Sequence, residues 1–431
     1  MKPLFDLNEL VGANVITHET ALKISDYYKK KQAGSPGPKN KQLLMFAIAG
    51  ALLVGIGLMF IIANQWEELP KTIKTISAFL LLIIPQILCL YALLWKGENV
   101  VWKESTALLL FFAVGASISL VSQIYHINGD TSTFLLKWML LTVPLVYIMD
   151  VSSVSLAYLF GILSYGFAVR FDIQGVWAPC ITWLLFLLPI PRYLKLFGRS
   201  PDSPLFILHH WIIPFVLLLS LVLFSRNFPE LMTMLYLTLF GIYFLIGNIG
   251  FFRNRPAEQG GYRFIGMAGT VITLFVMSFR SNWEKLPAHR YDWNRLLVAP
   301  EFIALALLFV FAALLLIKAL KHRRWSDLKF MEISWVLFLP LFILGYFSTF
   351  PYILVNLFLL GVGVQTLRIG SAQDNLGLLN AGLLILAFLL VCRSFDIDLT
   401  YVEKGLLFVA VGIGFFIANW WMLRKKRQNE A

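Results

Sequence analysis

Apolar stretches long enough to cross a bilayer recur along almost the whole chain, and they constrain its fold more than any other feature. The hydrocarbon core is about 30 Å thick, so an α-helix needs roughly 20 apolar residues to cross it. By that measure there are fourteen candidate spans, at 43–63, 76–95, 106–124, 134–150, 152–169, 175–190, 206–224, 231–251, 262–280, 297–318, 331–347, 350–367, 377–393 and 403–423. The fourth, sixth and eleventh are short or carry Pro144, Pro189 and Pro340, and a re-entrant segment among them would leave twelve or thirteen crossings. The expected fold is therefore all-α, a polytopic transmembrane helix bundle of about 14 spans.

Composition agrees. With 59% hydrophobic and only 14% charged residues, the chain carries more apolar surface than one water-exposed core can bury, so the lipid bilayer is its expected partner. The 13 Trp and 37 Phe suit helix ends that sit at the membrane surface. A net charge of +12 would suggest a polyanion partner in a soluble protein. Here Lys and Arg fall mainly in loops on one side of the spans, so the charge reads as topology and nucleic acid is excluded.

An even number of spans places both termini on one side. The basic run at Lys29–Lys31 with Lys39 and Lys41 then joins Arg192, Lys195 and Arg199, then Arg253, Arg255 and Arg263, then Lys321, Arg323, Arg324 and Lys329, and finally Arg424–Arg427. The positive-inside rule makes that side cytosolic. Arg280, Lys285, Arg290 and Arg295 depart from the rule on the outer side.

Four segments follow: a cytosolic amphipathic helix pair at 1–32, a Gly- and Pro-rich linker at 33–42, the transmembrane domain at 43–423 and a basic tail at 424–431. In the pair, Leu7, Leu10 and Val11 mark one helix, and Thr17 is the expected N-cap of a second that carries Glu19, Ala21, Ile24 and Tyr28. Two short helices bury little alone, so residues 4–32 are a candidate surface for a protein partner. Residues 1–42 have no apolar region followed by a small-residue cleavage site, which leaves the first span as the expected insertion signal.

Two weak internal similarities suggest duplication or chance. Val54–Gly57 with Ala63–Trp66 recurs as Val411–Gly414 with Ala418–Trp420, and Trp66–Pro70 is similar to Trp283–Pro287. Ala47, Ala51 and Gly55, and likewise Ala410, Gly414 and Ala418, lie four apart and are expected to let helices approach closely. Cys89, Cys180 and Cys392 are far apart in or beside apolar runs and read as buried thiols, with no disulfide or metal site.

Several motifs taken together resemble an uncharacterised family of bacterial membrane proteins, the domain-of-unknown-function family numbered 2157. The resemblance rests on Ile16–Ala21 with Tyr27 and Tyr28, on Ala63–Trp66 with Pro70 and Lys74, and on Ser122–Asp130 with Trp138. Asn380–Leu384, Arg393–Asp396 and Gly405–Phe408 resemble its closing pair of spans. Gln65 departs from the family pattern, which has Asn and Trp adjacent. The family implies a membrane fold and a bacterial source, and no activity.

The densest polar group follows an apolar helix in Gly115–Asp130: Gln123, Tyr125, His126, Asn128 and Asp130. Gln123 and His126, three apart, would share a helical face, and Asp130 would reach back once the helix breaks at Gly129. A His beside a carboxylate suits proton transfer, and an interfacial His with a capping Asp is the plainer alternative. Arg393 with Asp396 and Asp398 forms a second group, able to hold a phosphate or carboxylate or simply to shape the last loop. Glu67 and the buried-span residue Glu301 complete the candidate substrate or proton sites, alongside the deeper Gln86, Asn248, Asn356 and Gln365. All odd-numbered spans exit on the outer side in this topology, so Glu67, Gln123–Asp130, Arg170, Asp172, Arg280–Glu284 and Arg393–Asp398 could line one vestibule. His209 and His210 point different ways on a helix and make a poor metal site.

No nucleotide fingerprint, GxSxG or HExxH motif occurs, so no cofactor and no catalytic residue is assigned. The leading expectation is a secondary transporter or flippase-like protein for a small polar or lipid-linked substrate. A scaffold or sensor acting through residues 4–32 ranks second. A membrane-embedded enzyme of envelope lipids or glycans ranks third, and it requires a closed pocket in which His126 meets a carboxylate.

Overall fold

A computed structural model describes residues 15 and 17–24, isolated positions between 46 and 60, and residues 69–430 apart from 173–176, 200–201, 249, 253–259, 287–292, 322–329, 374 and 397–399. Every regular element among the described residues is helical, with no strand. The chain divides into two compact units, residues 1–209 and 210–431.

At the N-terminus, residues 18–24 are helical and Thr17 Oγ1 accepts the Thr20 N–H at 3.2 Å, which makes Thr17 the cap that its position suggests. The partner helix expected at 7–11 and the linker lie outside the described residues, as does most of the first expected span.

In the first unit, α1 (Lys71–Trp95) and α2 (Val100–Ile124) form an antiparallel hairpin. Asn99 ends the connection by accepting the N–H groups of Val101 and Trp102 at 3.0 and 3.2 Å. Helix α3 (Thr131–Ile148) packs on α2 through Trp138, whose indole N–H donates to Phe111 O at 2.8 Å. Gly115 makes room for that ring; a Cβ there would stand 2.4 Å from it. A tight turn with Asp150 at φ 55° leads into α4 (Ser153–Asp172), the most buried of the long apolar helices.

The sixth expected span, read as 175–190, is bent. It runs as α5 (Trp177–Leu185), a turn at 186–189 and α6 (Ile190–Arg199). It still returns across the unit, because Arg192 reaches Asp150 at the start of α4 while α5 follows that helix's far end. The bend falls at Pro189, whose ring cannot continue an α-helical ladder. Helix α7 (Pro204–Ser220) extends as a 3-10 turn, Leu221–Phe224.

In the second unit, α8 (Leu231–Gly247) is buried on nearly every side, with only Thr233, Tyr236 and Ile246 half-buried. Its all-round apolar sequence demands this, and α9 (Gly261–Met277), α12 (Pro300–Leu320) and α13 (Phe330–Gly345) surround it. Two short helices, α10 (Arg280–Glu284) and α11 (Trp293–Leu297), lie between α9 and α12. Helices α14 (Pro351–Ala372) and α15 (Leu376–Asp396) then pair closely, and α16 (Tyr401–Glu430) closes the chain.

By length and hydropathy nine described helical segments could cross a membrane, the bent Cys180–Arg199 stretch among them. Three expected spans, now α8, α9 and α13, are only 16 or 17 residues long, about 25 Å. Close helix approaches occur where a Cβ at Gly382 would meet Leu367 N at 2.6 Å and one at Gly266 would meet Phe240 O at 2.7 Å. Small residues there let a neighbouring backbone come near. Cys89 and Cys392 are buried free thiols, but Cys180 is exposed.

Candidate functional site

The Gln123–Asp130 stretch lines an open cleft of about 780 Å3 in the first unit. Its walls come from α1 (Ala78, Phe79, Leu82), from 117–123 of α2, and from the first two turns of α3 as far as Lys137. Ser117 ties the floor together by donating to Ala78 O at 3.0 Å. From the end of α2 the cleft descends to Ser117, seven residues or about 10 Å, and stops short of the helix midpoint near Phe112. Polar Gln123, His126, Asn128, Asp130 and Lys137 share its lining with apolar Phe79, Leu82 and Ile118.

The helix break that shapes this cleft is at His126, not at Gly129. His126 takes a left-handed φ of 50°, its N–H faces Gln123 O at 3.5 Å, and the next N–H, of Ile127, reaches back to Ser122 O at 2.9 Å. This pair of bonds is a Schellman closure, in which glycine usually occupies the left-handed position. Ser122 Oγ adds a bond to Ile127 O at 2.8 Å. Gln123 is thus the last turn of the helix and His126 lies beyond its cap, so the expectation that both share one helical face fails. Tyr125 is turned to α1, where Lys71 Nζ stands 4.6 Å from its ring centroid and Thr75 Oγ1 lies 3.4 Å from its hydroxyl.

Gln123, His126 and Asp130 are all exposed. Asp130 is the N-cap of α3 without making a side-chain cap bond. No hydrogen bond joins His126 to Asp130 among the described residues.

The other candidates have different surroundings. Arg393, in the second unit, lies 3.3 Å from Ser278 Oγ and 4.9 Å from the centroid of Phe279, with Asn356 donating to Ser278 O at 3.0 Å beside it. The Arg280–Glu284 pair, at 2.9 Å, follows in the same α9 exit, so two of the expected polar exits meet. The Asp396 side chain, Asp398 and Glu67 lie outside the described residues. Glu301 is fully buried, and its Oε1 accepts consecutive N–H groups from Arg226, Asn227 (2.6 Å) and Phe228 (3.1 Å). It holds a turn, an arrangement favoured by its place in the first turn of α12. Asn248 donates to Phe244 O at 2.8 Å and Gln365 accepts from Phe330 N at 2.9 Å, so these also serve the backbone, while Gln86 is exposed.

A second polar centre in the first unit escaped the sequence reading. Buried Glu104 accepts the N–H groups of Ser152 at 2.9 Å and Ser153 at 2.7 Å, and Ser153 Oγ donates back to Glu104 O at 3.1 Å. Arg192, itself buried, binds Asp150 and donates to Ser152 Oγ at 3.1 Å. Lys195 reaches Asp150 at 2.5 Å and Arg199 at 4.0 Å. Partial burial would raise the Asp150 pKa, but the Lys195 hydrogen bond and the charges of Arg192, Lys195 and Lys103 outweigh it and hold the carboxyl below its ordinary value. His209 closes the group, 3.2 Å from Ser155 Oγ and 2.6 Å from Leu205 O, whereas His210 meets Phe252 edge-on and lies tilted against Tyr262. The two histidines do face different neighbours. The missed signal was acidic residues, Glu104 and Asp150, at helix ends near a basic loop.

No group of three His, Cys, Asp or Glu side chains placed to hold a metal occurs among the described residues.

Long apolar helices, linked by tight turns and holding a polar cleft at one helix exit, define a polytopic α-helical membrane protein. Residues 8–155 match the model of a family described as predicted membrane protein (DUF2157), a family of unknown function. The resemblance seen at Ile16–Ala21 and Ser122–Asp130 falls within that match, while Asn380–Phe408 lies outside it. Comparisons with curated proteins and with solved structures found no match.

Proposed function

We propose that the protein is a secondary transporter or flippase-like protein of a bacterial inner membrane, and that its cleft takes the head of a lipid-linked substrate. The supporting observation is the mixed lining: polar Gln123, His126, Asp130 and Lys137 share the cleft with apolar Phe79, Leu82 and Ile118. A wholly polar solute would gain nothing from the apolar wall, and burying that wall beside an acyl or isoprenoid chain is favourable by about 25 cal/mol per Å2. The same reading keeps fourteen crossings with both termini cytosolic and places the cleft on the outer side. An open cleft with no His126–Asp130 bond favours binding and passage over the closed pocket that an enzyme would need.

The test places a photo-crosslinking amino acid at Ser119 in the cleft and, as a control, at exposed Ile87 on α1. Crosslinked species from native membranes are identified by mass spectrometry. The expected result is a headgroup-bearing amphiphile enriched at position 119, and lost in His126→Ala with Lys137→Gln. Identical bulk lipid at both positions would reject the reading.

A further inference from the structure

We infer that α6 is a membrane-surface helix whose basic face binds anionic phospholipid, at a place separate from the cleft. The argument starts from its sequence, IPRYLKLFGR, in which apolar and basic residues segregate around the helix. Ile190 and Leu194, four apart, are 41% and 59% exposed, and Leu187 just before them is 53% exposed. At 100° per residue, Lys195 and Arg199 fall on the opposite side. Tyr193 stacks on Phe206 of α7, with ring centroids 5.4 Å apart, so a third face is the one that docks on the protein.

The depth of α6 follows from its ionic contacts. Arg192 and Lys195 bind Asp150, which lies just beyond the end of the apolar helix α3. The helix therefore begins at the level where the apolar helices end. A helix there with an apolar stripe and an opposed basic stripe lies in the boundary between acyl chains and headgroups. Four cations, Lys103, Arg192, Lys195 and Arg199, stand near two carboxyl groups, Asp150 and Glu104, so positive charge is in excess in the cluster. Glu104 is already committed to backbone N–H groups, and Arg199 is 70% exposed at the edge of the cluster. The complementary surface is the phosphodiester of an anionic lipid, which accepts from Lys195 and Arg199 while Leu187, Ile190 and Leu194 enter the acyl boundary.

The test uses the full chain, purified in detergent and mixed with equal phosphatidylglycerol and phosphatidylethanolamine; bound lipid is counted by native mass spectrometry. Lys195→Gln with Arg199→Gln removes two surface cations and should weaken phosphatidylglycerol retention about 30-fold. Arg199→Gln alone leaves Arg192 and Lys195 on Asp150, so folding is spared, and should weaken it about fivefold. A control pair at another helix end, Lys318→Gln with Lys321→Gln, should leave retention unchanged. Unchanged retention in the α6 variants, an equal loss in the control pair, or equal binding of both lipids would overturn the inference.

Discussion

Replacing His126 by glycine should stabilise the protein while removing a residue of the cleft. His126 holds a left-handed conformation at φ 50°, which costs a residue with a Cβ about 1–2 kcal/mol. The two backbone bonds of the helix closure do not involve the imidazole, and glycine keeps both. No described residue is hydrogen-bonded to the exposed ring, so its removal breaks no such bond. Against the gain stands the extra freedom of glycine in the unfolded chain, roughly 0.4–1 kcal/mol. The net expectation for His126→Gly is a stabilisation of about 0.5–1 kcal/mol. His126→Ala keeps the steric cost and should show no gain. The assay is thermal unfolding of the detergent-solubilised protein followed by tryptophan fluorescence, where a difference of ~1–2 °C between the two variants is expected for a chain of this size. If alanine proves as stabilising as glycine, or if both lose more than about 1 kcal/mol, His126 is not merely a strained cap and its ring makes a stabilising contact. If His126→Gly also reduces crosslinking at Ser119, the gain in stability with loss of binding is the trade-off expected of a binding residue.

Glu104→Ala leaves the N–H groups of Ser152 and Ser153 buried without an acceptor and should cost about 2–6 kcal/mol, at 1–3 kcal/mol for each stranded donor; a loss under about 1 kcal/mol on chemical unfolding would show that water replaces the carboxylate. Asp150 predicts an acid limb. Its folded carboxyl holds a proton more weakly than the unfolded one, so its contribution is complete above the ordinary value of 3.8 and is lost as pH falls below it; Asp150→Asn should flatten the stability curve in that range.

Much of the architecture was legible in the chain because hydropathy over twenty residues is a local property. Helices α1 to α4 fall where the apolar runs place them, and Thr17 caps its helix through an oxygen three residues from its donor. The same local logic picked out the cleft, since Gln123, His126 and Asp130 are neighbours in sequence before they are neighbours in space. It misjudged the break, because glycine is the usual left-handed residue and nothing nearby in the sequence marks His126 as taking its place. It also overlooked Glu104 and Asp150, whose partners lie 42 to 49 residues away.

What the sequence determined, then, is that this chain must fold in lipid as helices with a polar group after α2, because backbone groups in hydrocarbon have to be satisfied within each segment. Which helices touch was decided only by tertiary structure. Gly115 beneath Trp138, Glu301 against the 226–228 turn and Arg192 on Asp150 are each set by the shape and charge of a distant partner. Packing at that range depends on contacts that no local pattern encodes.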